Sequence, residues 1–250
     1  MVTAPALFAA ENPFVRHFPI KEGLITYVVR GTQSGSKRLY FSDYGEKQLL
    51  VENLAADIMH GRQSIHRVTL ILPDEKYLID TDTGYAVKTP RLENLLYKKF
   101  QKLTKAQQRK ILDNLQRNGD RALEGDGGAC ISHARRILGL TCSQEQVDGV
   151  SQCSVARGAL VLDSSISLLG YRVETFATRY DKRSVDAAHF TLPADLNITD
   201  HTAEAEKHAD AILARLQKPL PACRPAGTHT RPKPLQRMLF EEIENLSRSF

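Results

Sequence analysis

Six strand-like segments that follow one another through short links constrain the fold of this 250-residue chain more than any other feature. The segments are rich in β-branched and aromatic residues, and the links contain turn residues such as Gly, Asp and Ser. From Gly23 to Thr89 the segments are GLITYVVRG, KRLYF, EKQLLVEN, IHRVTLILP, EKYLID and YAVKT. Because antiparallel neighbours can be joined by short links, this pattern predicts an antiparallel meander.

One corner of this meander has a distinct composition. Strand alternation places Leu39 and Phe41 on one face of the sheet and Tyr40 on the other. The corner itself consists of Asp43, Tyr44 and Gly45. We interpret Asp43 and Tyr44 as turn residues rather than as catalytic groups.

The apolar spacing changes from two residues to three and four after Pro90, which predicts helices. The apolar positions of the first helix are Leu92, Leu95, Leu96, Phe100 and Leu103. A second helix is predicted to begin at Thr104, which has capping-box spacing to Gln107. A short helix is predicted over ISHARRIL, so the helical insertion spans residues 91–137.

Strand patterns resume after Gly139 in four segments: LTCSQEQV, SQCSVARGALVL, YRVETFATRYD and HFTLP. In the third segment the alternation slips by one residue. A bulge at Thr175 would return Phe176 and Tyr180 to the face of Tyr171 and Val173. The alternative is a regular strand with both faces partly covered.

The two ends of the chain differ from this central part. Residues 1–22 are interpreted as an N-terminal segment that is a candidate signal-peptide remnant, because small residues stand where a signal peptidase would cut. Residues 201–217 are predicted to form a helix, residues 218–234 a Pro-rich linker, and residues 235–250 an amphipathic helix. That last helix docks either on its own domain or on a partner.

Cys142 and Cys153 flank a predicted hairpin and are a candidate disulfide. A four-residue loop would place them directly opposite each other, whereas a two-residue Asp-Gly loop would leave them diagonal. The alternative is that both are small buried hydrophobic residues.

The net charge of +5 is concentrated in one segment, since residues 91–121 contain nine Lys or Arg and three acidic residues. The candidate contacts for anionic lipid head groups are Lys98, Lys99, Lys102, Lys105 and Arg109. The simpler interpretation is a solvated helix face. Nucleic acid is not expected as a partner, because Tyr97 and Phe100 fall on or beside the apolar stripe and offer no stacking surface.

Catalytic and metal-binding motifs are absent from the sequence. The best candidate nucleophile is Cys130, predicted near a helix N-terminus with His133 one turn further on. A disulfide-bonded Cys130 beside a solvated His133 fits the same residues. No metal site or cofactor is predicted, since His201 and His208 are two helical turns apart and cannot bind one ion together.

Four short motifs occur in an order that resembles a group of exported bacterial proteins of unknown function. The motifs span Ser34 to Gly45, Ile79 to Gly84, Gly139 to Cys142, and Phe190 to Pro193. The domains of that group resemble the half-barrel of the outer-membrane lipoprotein carrier protein. The resemblance covers about residues 23–199. It implies a curved antiparallel sheet with helices on its concave side, an exported location and the capacity to hold an apolar chain.

We therefore expect an α+β fold in which a half-barrel of about ten strands, residues 23–200, has the helical insertion packed on one face and a C-terminal helix. The expected function is non-enzymatic binding of a lipid, acyl chain or other hydrophobic ligand in the periplasm or cell envelope. Peripheral contact with a membrane is compatible with the basic segment. The alternative is a structural or adaptor module that docks an envelope protein through residues 235–250.

Overall fold

A computed structural model describes residues 12–58, 61–118, 129–147, 149–156, 158–168 and 170–218. The strands are β1 (Gly23–Gly31), β2 (Gln33–Ser42), β3 (Lys47–Ile58), β4 (Gly61–Ile71), β5 (Glu75–Asp80), β6 (Tyr85–Pro90), β7 (Ala129–Ile137), β8 (Leu140–Val147), β9 (Val150–Val155), β10 (Leu160–Leu168), β11 (Tyr171–Asp181) and β12 (Asn197–Asp200). The helices are α1 (Leu92–Phe100), α2 (Lys105–Asn118) and α3 (Thr202–Leu216).

All twelve strands belong to one open, curved sheet with the order β12-β6-β5-β4-β3-β2-β1-β11-β10-β9-β8-β7. Neighbouring strands are antiparallel except β12 and β6, which are parallel. Two hairpin series, β1 to β6 and β7 to β11, therefore meet where β1 pairs with β11. The predicted α+β class with an open antiparallel sheet and the predicted six-strand meander are confirmed.

One face of the sheet, here called the inner face, carries Ile25, Leu39 and Leu50 in directly opposed positions of β1, β2 and β3. Buried residues of β8 to β11, including Val155 and Leu162, belong to the same hydrophobic cluster as those of β1 and β2. Side chains from distant strands can share a cluster only if the sheet curls, so the inner face is its concave face.

The opposite, outer face is covered over β3 to β6 by the chain that follows β11. Phe190 packs with Leu70, Tyr77 and Ile79 on this face. The ring of His189 stacks on Tyr40 with the ring centroids 4.4 Å apart. Leu39 and Phe41 thus lie on the inner face and Tyr40 on the outer face, as the alternation predicts.

The three helices form a hydrophobic cluster of their own. Its buried members are Phe14, Leu95, Leu96, Phe100, Ile111, Ala209, Ile212, Leu213 and Leu216. Within the described part of the chain, this cluster contains no strand residue. The expectation that the insertion packs on the concave face of the sheet is therefore wrong, because the apolar faces of α1 and α2 are buried against α3 and Phe14.

Several element predictions need correction. The sheet has twelve strands rather than about ten. Residues 129–137 form the edge strand β7 instead of a helix, since pairing with β8 overrides the helical period, so the insertion is helical only up to Asn118 in the described residues. The predicted strand SQCSVARGALVL is two strands, β9 and β10, joined by a turn at Ala156, whose φ is 51°. The short strand β12 was not predicted.

The segment HFTLP is not a strand. Ala187–Phe190 form a 3-10 turn, and the carboxylate of Asp186 accepts a hydrogen bond from the amide of Ala188 at 2.9 Å. This local side-chain bond offers the backbone an alternative to a sheet ladder.

The bulge in β11 lies at Thr178 rather than at Thr175. Thr26 of β1 pairs with Arg179 and Tyr27 pairs with Ala177, so Thr178 is the extra residue. Its hydroxyl donates a hydrogen bond to the carbonyl of Thr26 at 3.2 Å. Tyr180 returns to the inner face as predicted, but Phe176 lies on the outer face.

Two terminal predictions lie outside the described residues. Of the candidate signal-peptide remnant, residues 1–11 are not described. Of the Pro-rich linker and the final amphipathic helix, residues 219–250 are not described.

Candidate ligand groove on the inner face

An apolar groove of about 280 Å³ opens on the inner face. One wall comes from β2, β3 and β4, and the other comes from the start of β10. The apolar and aromatic lining consists of Phe18, Tyr27, Leu39, Leu50, Ile71, Ala159, Leu160 and Val161. The polar lining consists of Lys37, Gln48, Thr69, Ser164 and Thr175. No helix residue among those described lines the groove.

The groove exists because the sheet curls. Five strand spacings separate β4 from β10, which is about 24 Å along a flat sheet. The two strands nevertheless face each other across the groove. The hydroxyl of Tyr27 on β1 donates a hydrogen bond to the carbonyl oxygen of Val161 at 3.0 Å and spans the intervening strand β11. Burial raises the pKa of Tyr27 well above its ordinary value, so this hydroxyl stays protonated.

The chemistry of the lining changes along the strand direction. Ile25, Leu39 and Leu50 form one row of opposed residues, and Phe18 packs beside this row. Two residues further along, Tyr27 stands opposite Lys37. In the next row Thr175 pairs with both Val29 and Ser164. The rows nearest Phe18 are thus mainly apolar, with Gln48 and Thr69 as polar members, and the rows further along carry an ammonium and two hydroxyls.

Three charged side chains from neighbouring strands meet side by side and form what we call the charged row: Lys37 (β2), Glu52 (β3) and Arg67 (β4). The three residues are directly opposed in the sheet. Lys37 Nζ lies 2.7 Å from Glu52 Oε1, and Arg67 Nε donates to Glu52 Oε2 at 2.9 Å. The Glu52 side chain is only 5% exposed, whereas those of Lys37 and Arg67 are 24% and 31% exposed.

The electrostatics of the charged row keep Glu52 ionised. Burial raises the pKa of Glu52. The nearby charges of Lys37 and Arg67 and their hydrogen bonds lower this pKa, and together they outweigh the effect of burial. The net result is a pKa below the ordinary value of a glutamate. Two cations around one anion leave the row with a net positive charge.

The Asp43-Tyr44-Gly45 corner closes the Phe18 end of the groove by holding the N-terminal segment. The carbonyl of Tyr44 accepts a hydrogen bond from the amide of Phe18 at 2.7 Å, and the amide of Tyr44 donates to the carbonyl of Lys21 at 2.8 Å. Gly45 has a φ of +86°, and a Cβ there would lie 2.8 Å from the ring of Phe18. The corner is a turn, as predicted, and it positions Phe18 against the groove.

Cys142 and Cys153 form a disulfide in the hydrophobic cluster behind the groove. Val147 pairs with Val150, so the hairpin has a two-residue link, and Gln144 rather than Cys142 stands opposite Cys153. The two cysteines are thus diagonal, yet their Cα atoms are 5.4 Å apart. That separation is normal for a disulfide, so the diagonal register permits the bond.

The predicted lipid-contact residues lie on α1, on α2 and in the turn between them, and none of them lines the groove. Lys99 Nζ is 2.8 Å from Asp210 Oδ1 of α3, and Lys105 Nζ donates to Gln108 at 3.2 Å. Lys98, Lys102 and Arg109 are exposed. Their contact with anionic head groups stays a prediction. The side chains of Cys130 and His133 are outside the described part of the structure. The candidate nucleophile Cys130 therefore stays a prediction.

The helices and the ionisable groups of the described residues offer neither a membrane span nor a metal site. No described helix combines the length and apolarity that crossing a membrane requires. In the same part of the chain, no three His, Cys, Asp or Glu residues are grouped so that they could hold an ion.

Sequence reasoning missed the charged row and Tyr27. A signal was present, because strictly paired antiparallel strands place Lys37, Glu52 and Arg67 side by side once the links between strands are counted. The hydrogen bond from Tyr27 to Val161 had no local signal.

The fold and the groove together define an α+β protein whose open, curved sheet forms an apolar groove bordered by the charged row. No family model matches the chain, and no curated protein matches it. The exported family predicted from the motifs thus stays a prediction.

Solved structures with a distant likeness include three proteins. An uncharacterized conserved protein from Thermus thermophilus has a TM-score of 0.41 and 9% identity, over 73% of this chain and 92% of that one. PNGF-II has a TM-score of 0.36 and 12% identity, over 78% of this chain but only 33% of its own. LprF from Mycobacterium bovis has a TM-score of 0.29 and 12% identity, over 69% of this chain and 89% of its own.

Proposed function

We propose that this protein binds a hydrophobic ligand, such as a single acyl chain, in the inner-face groove without catalysing a reaction on it. The observation that supports binding is the groove itself, because two halves of one sheet leave open space between apolar walls. Its volume of about 280 Å³ lies at the small end of known ligand pockets. We therefore favour a single-chain ligand over a lipid with several acyl chains.

The state of the polar groups favours binding over catalysis. Glu52 is ionised between two cations, and a general acid or base that works near neutral pH needs a pKa close to that range. Tyr27 has a raised pKa, and its hydroxyl donates a hydrogen bond to the carbonyl oxygen of Val161. Both groups are thus committed to contacts that hold the sheet in shape.

The proposal includes an exported location, in the periplasm or cell envelope. Disulfides persist in oxidising compartments and are rare in the cytosol, and the Cys142–Cys153 disulfide supports this part of the proposal.

A dye-binding experiment tests the groove. N-phenyl-1-naphthylamine is uncharged and becomes fluorescent in apolar surroundings, so the native protein should enhance its emission. Ala159 lines the groove, and the Ala159→Trp variant should fill the space and abolish the enhancement. The matched control is Ala203→Trp, because Ala203 is exposed on α3.

The chain contains no Trp, so each variant carries one indole whose own emission reports its surroundings. A blue-shifted emission from Ala159→Trp together with lost dye binding would support the groove as the binding site. The proposed function is contradicted if the native protein does not enhance the emission of the dye, or if both variants enhance this emission equally.

A further inference from the structure

We infer that the groove selects single-chain amphiphiles with an anionic head group, the chemistry of a fatty acid, and that Lys37 holds that head group. This inference rests on the proposed function, since it specifies what the groove binds. The tail would lie toward Phe18, and the carboxylate would lie at the charged row.

The hydrogen-bond inventory of the charged row supports this assignment. An ammonium has three N–H donors and a guanidinium has five. Lys37 uses one contact and Arg67 uses its Nε–H, and both of these go to Glu52. Neither Lys37 nor Arg67 forms a second ion pair within the described part of the chain. The row can therefore bind a second carboxylate without breaking its existing ion pairs.

The position of the row supports the same assignment. Lys37 itself lines the groove, and so do Ser164 and Thr175. A head group there would meet one ammonium and two hydroxyl donors, while its chain would meet Leu39, Leu50 and the ring of Phe18. A carboxylate at Lys37 would therefore place the chain beside the apolar part of the lining.

One neighbouring acid, Asp80, offsets positive charge on the Arg67 side of the charged row, three strands away from Lys37. Asp80 stands opposite Arg67 in the sheet. Its Oδ1, however, accepts hydrogen bonds from the amides of Asp82 at 2.8 Å and Thr83 at 3.2 Å, which turns it toward the β5–β6 hairpin. Glu52 is shared by both cations. A buried ion pair adds little stability compared with apolar residues, so a charged row whose Lys37 lines a groove is better suited to recognition.

Calorimetric titration with probes of equal chain length tests the inference. The probes are dodecanoate, 1-dodecanol and dodecyltrimethylammonium. We expect dodecanoate to bind about tenfold more tightly than the alcohol, because hydrogen bonds to charged groups contribute about that factor. We expect the cationic probe to bind most weakly. This comparison uses the native protein and does not depend on the folding of a variant.

Variants then locate the head group. Lys37→Gln should lose about tenfold of the affinity for dodecanoate and leave the affinity for dodecanol unchanged. Lys37→Arg should keep the preference. The matched control is Lys47→Gln, because Lys47 lies at the corner, where its Nζ is 3.0 Å from Asp43. It should alter neither affinity.

The outcomes separate the two proposals. Equal affinities for dodecanoate and dodecanol in the native protein would overturn the head-group inference and leave the proposed function intact. An equal loss for both probes in Lys37→Gln would also overturn it. Failure of all three probes to bind would overturn both.

Discussion

Tyr27 on β1 and Val161 on β10 are joined by a hydrogen bond of 3.0 Å although β11 lies between their strands. This contact links the two halves of the sheet on the inner face. Ordinary ladder bonds join only neighbouring strands, so this bond reports the curvature that creates the groove.

Replacing Tyr27 with Phe should lower the free energy of unfolding by about 1 kcal/mol, since one hydrogen bond is lost while the ring remains. Urea unfolding at neutral pH measures this change. Tyr44→Phe is the control. Tyr44 is exposed, so the loss of its hydroxyl should not measurably change the free energy of unfolding. An equal change in both variants would contradict a structural role for the Tyr27 hydroxyl.

The same variant makes a prediction about alkaline pH. Burial raises the folded-state pKa of Tyr27, so its contribution to stability is full below the unfolded pKa of about 10 and is lost as the pH rises beyond it. The stability of the native protein should therefore fall more steeply above about pH 10 than that of Tyr27→Phe. Parallel curves would refute this assignment.

Replacing Glu52 with Gln should destabilise the protein by about 2 kcal/mol at neutral pH, because two partly buried cations lose their anion. The folded-state pKa of Glu52 is lowered, so its stabilisation is present above its unfolded pKa and is lost as the pH falls. The difference between variant and native protein should therefore narrow in acid. Denaturant titrations across this range measure it.

The control for Glu52→Gln is Glu174→Gln. Glu174 pairs with Arg172 at 2.6 Å, but the Arg172 side chain is 71% exposed. Exposed ion pairs contribute little, so this variant should change stability by less than about 1 kcal/mol. Equal losses of stability in Glu52→Gln and Glu174→Gln would show that burial does not increase the contribution of the charged row to stability.

The disulfide should be visible without reduction. Trypsin cuts after Arg136 and Arg157, so one peptide, residues 137–157, holds both Cys142 and Cys153. This peptide should be lighter by two hydrogen atoms in mass spectra of the unreduced protein. A peptide linked to another cysteine would contradict the pairing. The Cys142→Ala/Cys153→Ala double variant should lose about 3 kcal/mol of stability, the loss expected for a short closed loop.

Gly45→Ala should destabilise the protein more than Gly84→Ala. Both glycines have positive φ, but an added Cβ at Gly45 meets the ring of Phe18, whereas at Gly84 it meets open space. We expect a loss of about 1 kcal/mol at Gly84 from the backbone alone and about 2 to 3 kcal/mol at Gly45. Thermal unfolding compares them. Equal losses would show that Phe18 yields without cost.

Much of the sheet follows from local sequence pattern. The alternation of Leu39, Tyr40 and Phe41 predicts their faces because side chains alternate along any strand. The capping box of α2 is also local, and in the structure the amide of Thr104 donates to Gln107 Oε1 at 3.0 Å. Where local signals conflict with pairing, as in residues 129–137, the neighbouring strand decides the structure.

The sequence by itself determined the six strands β1 to β6, the corner and the two helices after Pro90, because those depend on the spacing of residues close together in the chain. Only the tertiary structure decided that β10 faces β4, that Tyr27 reaches Val161, and that the helices pack on one another and leave the inner face open. These features depend on sheet curvature and on pairing between residues more than a hundred positions apart, as with Tyr27 and Val161. No local periodicity encodes such contacts, since they arise from the summed twist and register of many strands.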